Sequence, residues 1–154
     1  MGLRERITAD TKEAMKAKET ARLSTLRLIS AAIKDREIAA RSEGGDDAGL
    51  SDADLTAILS KMVKQRQESA KAYEEGGRLE LAEREQDEIK IIQSYLPRQL
   101  SEQETSAAIA KVIADLGAES IRDMGRVMAE LRTRFAGQMD FGAVGPMVKD
   151  RLMA

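Results

Sequence analysis

Apolar residues recur along this chain at steps of three and four. Leu23, Leu26, Ile29 and Ile33 form one such row, and Leu55, Ile58, Leu59, Met62 and Val63 form the next. Ile89, Ile92 and Leu96 follow, then Ile109, Val112, Ile113 and Leu116, then Met124, Val127, Met128 and Leu131. That spacing brings each set onto one face of an α-helix. No stretch alternates with a period of two for long enough to make a strand, so the pattern predicts an all-α fold.

Polar punctuation marks where the helices start and stop. Ser51 stands in a capping position with Asp54 three residues on, and Leu50 and Leu55 occupy the positions of a hydrophobic staple. Ser101 and Glu104 form a capping box, and Ser120 restarts a helix after Gly117. Gly76-Gly77, Gly117 and Gly137 supply the left-handed turn that helix ends favour. Pro97 pushes Leu96 out of helical geometry. Asp140 is placed to cap the last segment, but Gly145-Pro146 lies too deep for a first turn, so a start or kink at that pair is the alternative. The spacing therefore predicts seven helices, over 3–17, 21–41, 52–75, 79–95, 102–116, 121–135 and 141–152. Long helices precede Pro97 and short ones follow it. The expected organisation is an N-terminal bundle of long helices (1–96) followed by a small C-terminal three-helix domain (97–154), hinged at Leu96-Pro97. The stretch from Ser42 to Gly49 carries turn formers and acids, with nothing to bury, and reads as an acidic loop.

Composition removes whole chemistries. The 154 residues include no His and no Cys, which excludes a Ser-His-Asp triad, a thiol nucleophile, a disulfide framework and Cys- or His-ligated metal. Met1 to Arg6 lacks the apolar stretch of a signal peptide, and no run approaches the ~20 apolar residues of a membrane span. Together with the lack of Cys, these features lead to the expectation of a cytoplasmic chain. The formal net charge is −2, but unevenly spread. Residues 1–41 carry 10 basic and 6 acidic groups, residues 51–96 carry 7 and 10, and residues 97–154 carry 8 of each. Net charge alone gives no reason for tight nonspecific binding to nucleic acid.

Several constellations carry candidate chemistry. Arg27, Lys34 and Arg41 share one face of the second helix, and Lys61, Lys64 and Lys71 share a face of the third. Such stripes track phosphates or form the solvated side of an amphipathic helix. Gly125 stands inside a helix, where glycine costs about 1 kcal/mol relative to alanine. Two explanations are open: a neighbouring helix packs there, or a foreign backbone such as a sugar-phosphate chain approaches. Arg122, Arg126, Arg132 and Arg134 surround it. Gly137 has a plain reading as a helix stop and a functional one as an exposed amide that meets a phosphate. Asp46, Asp47, Asp52 and Asp54 miss the spacing of a calcium loop and read as loop and cap residues. No phosphate-cradling glycine loop, metal set or nucleophile–base pair is present, so no cofactor or metal is expected.

Taken in order, several strings resemble a known family. They are Leu26-Arg27-Leu28-Ile29-Ser30-Ala31-Ala32-Ile33-Lys34, Met62-Val63-Lys64-Gln65-Arg66-Gln67-Glu68-Ser69-Ala70, Tyr73-Glu74-Glu75-Gly76-Gly77-Arg78, Tyr95-Leu96-Pro97-Arg98-Gln99-Leu100-Ser101 and Met124-Gly125-Arg126-Val127-Met128. Their joint order is similar to the YqeY family, stand-alone relatives of the tail domain of GatB. The resemblance runs over essentially the whole chain. It implies an α-helical N-terminal part and a small C-terminal helical part. GatB belongs to the glutamine-dependent amidotransferase acting on misacylated tRNA, and its tail helps to hold that tRNA. The catalytic core of GatB has no counterpart here.

The resemblance thus implies a noncatalytic partner of tRNA or of a tRNA-handling complex. Gly125, Arg126, Gly137 and Lys149 are the expected nucleic-acid contacts. The family often places a basic residue after the glycine at 137, where Gln138 stands here. Two rival readings accompany it: a protein-interaction module that uses the long helices, and a family-level carbon–nitrogen ligase activity with glutamine as amido-N-donor.

Overall fold

A computed structural model describes residues 2–43 and 49–153. Among these residues the chain forms seven α-helices, one short 3-10 turn and no strand. It divides into two compact units, Met1–Leu96 and Pro97–Ala154. The expected acidic loop falls mostly on residues 44–48, outside the described residues.

The first unit contains α1 (Leu3–Lys16), α2 (Thr20–Ser42), α3 (Asp52–Glu75) and α4 (Leu79–Gln93). Ile7, Leu26, Ile29, Leu55, Leu59 and Ile92 are its most deeply buried large side chains. Each contributes about 1.5–3 kcal/mol by leaving water. These are the positions the three-and-four spacing selects, which is why the rows of apolar residues become one core. Ser51 caps α3: its hydroxyl accepts from Asp54 N at 3.2 Å while Asp54 accepts from Ser51 N at 3.0 Å. Leu50 packs against the same core as Leu55, which completes the staple.

The α3–α4 hairpin turns on Gly77, which adopts φ +75°. Its N–H bonds Glu74 O at 3.1 Å, and the Arg78 N–H bonds Tyr73 O at 2.8 Å, closing a Schellman turn. Arg66 clamps the hairpin sideways through Glu88, at 2.9 Å.

The second unit contains α5 (Glu102–Leu116), a 3-10 turn (Ile121–Asp123), α6 (Met124–Arg134) and α7 (Phe141–Met153). Ile109, Val112, Val127, Leu131, Val144 and Val148 fill its core. Ser101 and Glu104 cap α5 reciprocally, and Gly117 ends it at φ +62°. Two expectations need correction. The segment from 121 is not one continuous helix, because the Ser120 hydroxyl accepts from Arg122 N at 3.3 Å and tightens the first turn to 3-10 geometry. The last helix does not begin or break at Pro146 but runs through it. Asp140 starts that helix, accepting from Gly142 N at 3.1 Å.

Candidate functional site

The first turn of α6 holds two of the four expected contact residues, Gly125 and Arg126. Asp123 organises it. One carboxylate oxygen accepts from Glu119 N at 2.9 Å and Ser120 N at 3.3 Å, and the other accepts from Arg126 at 3.0 Å. The backbone donors first, and then the Arg126 guanidinium, hold its carboxyl below the usual carboxylate range. Arg126 nevertheless remains a surface group, with a side chain 57% exposed. An exposed i,i+3 pair of this kind adds little to stability, so it does not commit the guanidinium to Asp123.

Gly125 lies on the surface beside it, and a Cβ built there meets no atom within 4 Å. The packing explanation for this glycine therefore finds no neighbouring element among the described residues. Arg122, one turn earlier, is exposed and makes no ion pair among the described residues. Gly145 of α7 sits against the same turn, its Cβ position 3.9 Å from the Met124 methyl. Lys149 follows one helical turn later on α7, and it too is exposed and without an ion pair among the described residues. Gly125, Arg122 and Arg126 thus share one short segment, and Lys149 lies one turn along the helix that borders it.

Gly137 is placed differently from its expectation. It is buried, not an exposed amide, and its φ of +77° serves a turn closed by Gln138 N to Phe135 O at 2.9 Å. Its carbonyl accepts from the Gln99 side chain. Gln138 continues the same seam, donating its amide to Arg98 O at 3.1 Å and accepting Leu100 N at 3.0 Å. The turn therefore fastens the segment 98–100 to the rest of the second unit. This also gives Gln138 a structural task at the position where the resembled family often has a basic residue.

The remaining cations of this unit are engaged. Arg134 bonds Asp115 at 2.9 Å and Glu130 at 2.7 Å, Arg132 lies over the Phe141 ring at 5.8 Å, and Arg151 donates to Ser106 at 2.7 Å. Arg98 chelates Glu104 with bonds of 2.8 and 2.7 Å. Sequence spacing did not single out the Arg98–Glu104 and Arg132–Phe141 contacts, although Glu104 at the third position of a capped helix is a standing acceptor. Among the described residues, no cluster of three acids is arranged to hold a metal ion, and no helix is long and apolar enough to cross a membrane.

Comparison with known proteins reaches nearly the whole chain. The family model described as Yqey-like protein matches residues 4–152. Among curated proteins, the chain is similar to "Altered inheritance of mitochondria protein 41, mitochondrial" of Lachancea thermotolerans, at 35% identity over 70% of this chain and 56% of that protein. The protein of the same name from Vanderwaltozyma polyspora gives the same identity and coverage. That from Eremothecium gossypii is 39% identical over 56% of this chain and 45% of its own length. The chain thus spans about half the length of the curated relatives it matches. Each of these relatives is named as mitochondrial, which overturns the expectation of a cytoplasmic location. The features behind that expectation, a lack of Cys and of an apolar opening stretch, do not distinguish one compartment from another. With the family model spanning nearly every residue, the chain belongs to the Yqey-like protein family.

Proposed function

We propose that this protein is a noncatalytic helical module that binds RNA of the tRNA class, alone or within a tRNA-handling complex, through the first turn of α6. The observation that carries this reading is Gly125, a helical glycine facing open space beside a half-exposed Arg126. A glycine in that position lets a sugar-phosphate chain come close to the helix backbone, where Arg126 meets its oxygens. Arg122 and Lys149 add unpaired cations, and Gly137 belongs to the turn rather than to the contact. The second unit balances 8 basic against 8 acidic groups, so binding is modest and strongly dependent on salt. The resemblance to the tail domain of GatB supports the choice of tRNA over other nucleic acids.

The test is a filter-binding titration of the purified chain against tRNA over a salt series. Arg126→Ala is expected to weaken binding and to flatten the salt slope by about one unit. Absence of salt-dependent binding at micromolar protein refutes the reading. Glutaminase and transamidation assays on the same preparation are expected to be blank, since no nucleophile–base pair is apparent in the sequence.

A further inference from the structure

Helix α2 carries five cations, and its ion pairs divide them into two groups. Arg22 pairs with Glu19 at 3.3 Å and approaches Asp10 at 3.9 Å, while Arg36 reaches Glu43 at 3.7 Å. Arg27, Lys34 and Arg41 are exposed and make no ion pair among the described residues. These three stand seven residues apart, about 10.5 Å along the axis. Ala31 and Ile38 lie between them, also exposed, so that 27, 31, 34, 38 and 41 succeed one another at alternating steps of four and three. That alternation is the spacing of a coiled-coil seam, with cations at three of its five positions and Asp35 exposed beside it. Ile38 is 51% exposed, and Leu28 beside the seam is 42% exposed. The seam runs on the far side of α2 from Leu26, Ile29 and Ile33, which fill the core.

The chemistry of the seam selects its occupant. A second copy of α2 laid against it sets Lys34 against Lys34 and Arg27 against Arg27 or Arg41, which is repulsive in either orientation. A phosphate backbone answers the cations but covers neither Ile38 nor Leu28. A helix with an apolar seam and flanking carboxylates answers both. We infer that the outward face of α2 docks an acidic amphipathic helix from a protein partner, with carboxylates opposite Arg27, Lys34 and Arg41 and an apolar row over Ala31 and Ile38. This inference lies in the first unit and does not rest on the RNA reading.

Fluorescence anisotropy of a labelled three-heptad peptide, with leucine at the seam positions and glutamate flanking them, tests it on the full chain. Saturable binding at micromolar protein is expected. The triple change Arg27→Glu, Lys34→Glu and Arg41→Glu should weaken it at least tenfold, and a peptide with lysine in place of glutamate should restore affinity to that variant. Ile38→Ser alone should weaken it severalfold, which keeps the test decisive if the triple variant does not fold. Arg126→Ala should leave it unchanged, separating this outcome from any failure of RNA binding. No binding by the unaltered chain overturns the inference. So does binding that neither Ile38→Ser nor the charge reversal weakens, and so does a seam whose variants lose tRNA affinity while the peptide is still bound.

Discussion

The Tyr95 hydroxyl donates a 2.5 Å hydrogen bond to Asp10, joining the end of α4 to α1 across 85 residues of sequence. Tyr95 is only 6% exposed, and the Arg6 guanidinium lies 5.4 Å from the centre of its ring. Burial first, and then the Asp10 carboxylate, push the phenol up to about 12 from an ordinary value of 10.0. A raised phenol favours the neutral form in the folded chain. Its contribution is therefore complete below pH 10 and is lost as the pH climbs toward about 12. Tyr95→Phe should cost about 1.5 kcal/mol at neutral pH, since Asp10 keeps Arg22 nearby while losing its phenol donor. Urea unfolding followed by circular dichroism at several alkaline pH values checks both parts. The variant should show a shallower alkaline decline than the unaltered chain.

Lys18 holds a left-handed backbone, φ +58°, at the end of α1. Its N–H bonds Met15 O at 3.3 Å, and the next N–H, of Glu19, bonds Ala14 O at 3.0 Å. This is the turn that Gly77 and Gly117 make elsewhere without a Cβ penalty. Lys18→Gly should therefore stabilise the chain by about 0.5–1 kcal/mol. Gly117→Ala, where nothing lies within 4 Å of the added methyl, should destabilise it through the backbone alone, by about 1 kcal/mol. Thermal unfolding of the two variants should move in opposite directions.

Glu104 is held down to about 2, from an ordinary 4.5, by Arg98 first and then by the Ser101 N–H. A lowered carboxyl contributes stability above pH 4.5 that disappears as the pH falls toward 2. Glu104→Gln keeps an acceptor for the Ser101 N–H and removes the charge that Arg98 chelates. Its melting temperature should fall less steeply between pH 5 and pH 2 than that of the unaltered chain. An unchanged slope would show that other carboxylates set the acid limb.

What the sequence discloses and what it hides divide by range. Ser51 with Asp54 and Ser101 with Glu104 are local devices, and each forms at its own position. The helix starts at 52, 102 and 141 fall where the punctuation puts them because caps involve neighbours within one turn, and the start at 79 follows the Gly76-Gly77 stop. Lys18 escapes this reading, since nothing about a lysine announces a left-handed turn. The 3-10 turn before α6 escapes it too, because Ser120 satisfies either helix type until the chain beyond it is placed. Tyr95–Asp10 is a tertiary contact with no spacing to reveal it. Gly137 shows the same limit at the site. Its role as a helix stop is legible in sequence, whereas the Gln99 side chain that bonds its carbonyl comes from 38 residues away.

Gly125 offers a separation of stability from function that few positions allow. An alanine methyl there meets no atom within 4 Å, so it brings no clash and removes the backbone freedom of glycine from a helical first turn. Gly125→Ala should therefore raise stability by up to about 1 kcal/mol. If a sugar-phosphate chain lies against this surface, the same methyl stands between it and the helix, and tRNA affinity should fall by about tenfold while Arg126 remains in place. A variant that melts higher and binds less tightly is the signature of a site maintained at a stability cost. A variant that melts higher and binds equally well would remove the observation on which RNA binding rests. The unpaired face of α2 would then be the surface left to account for what this chain recognises.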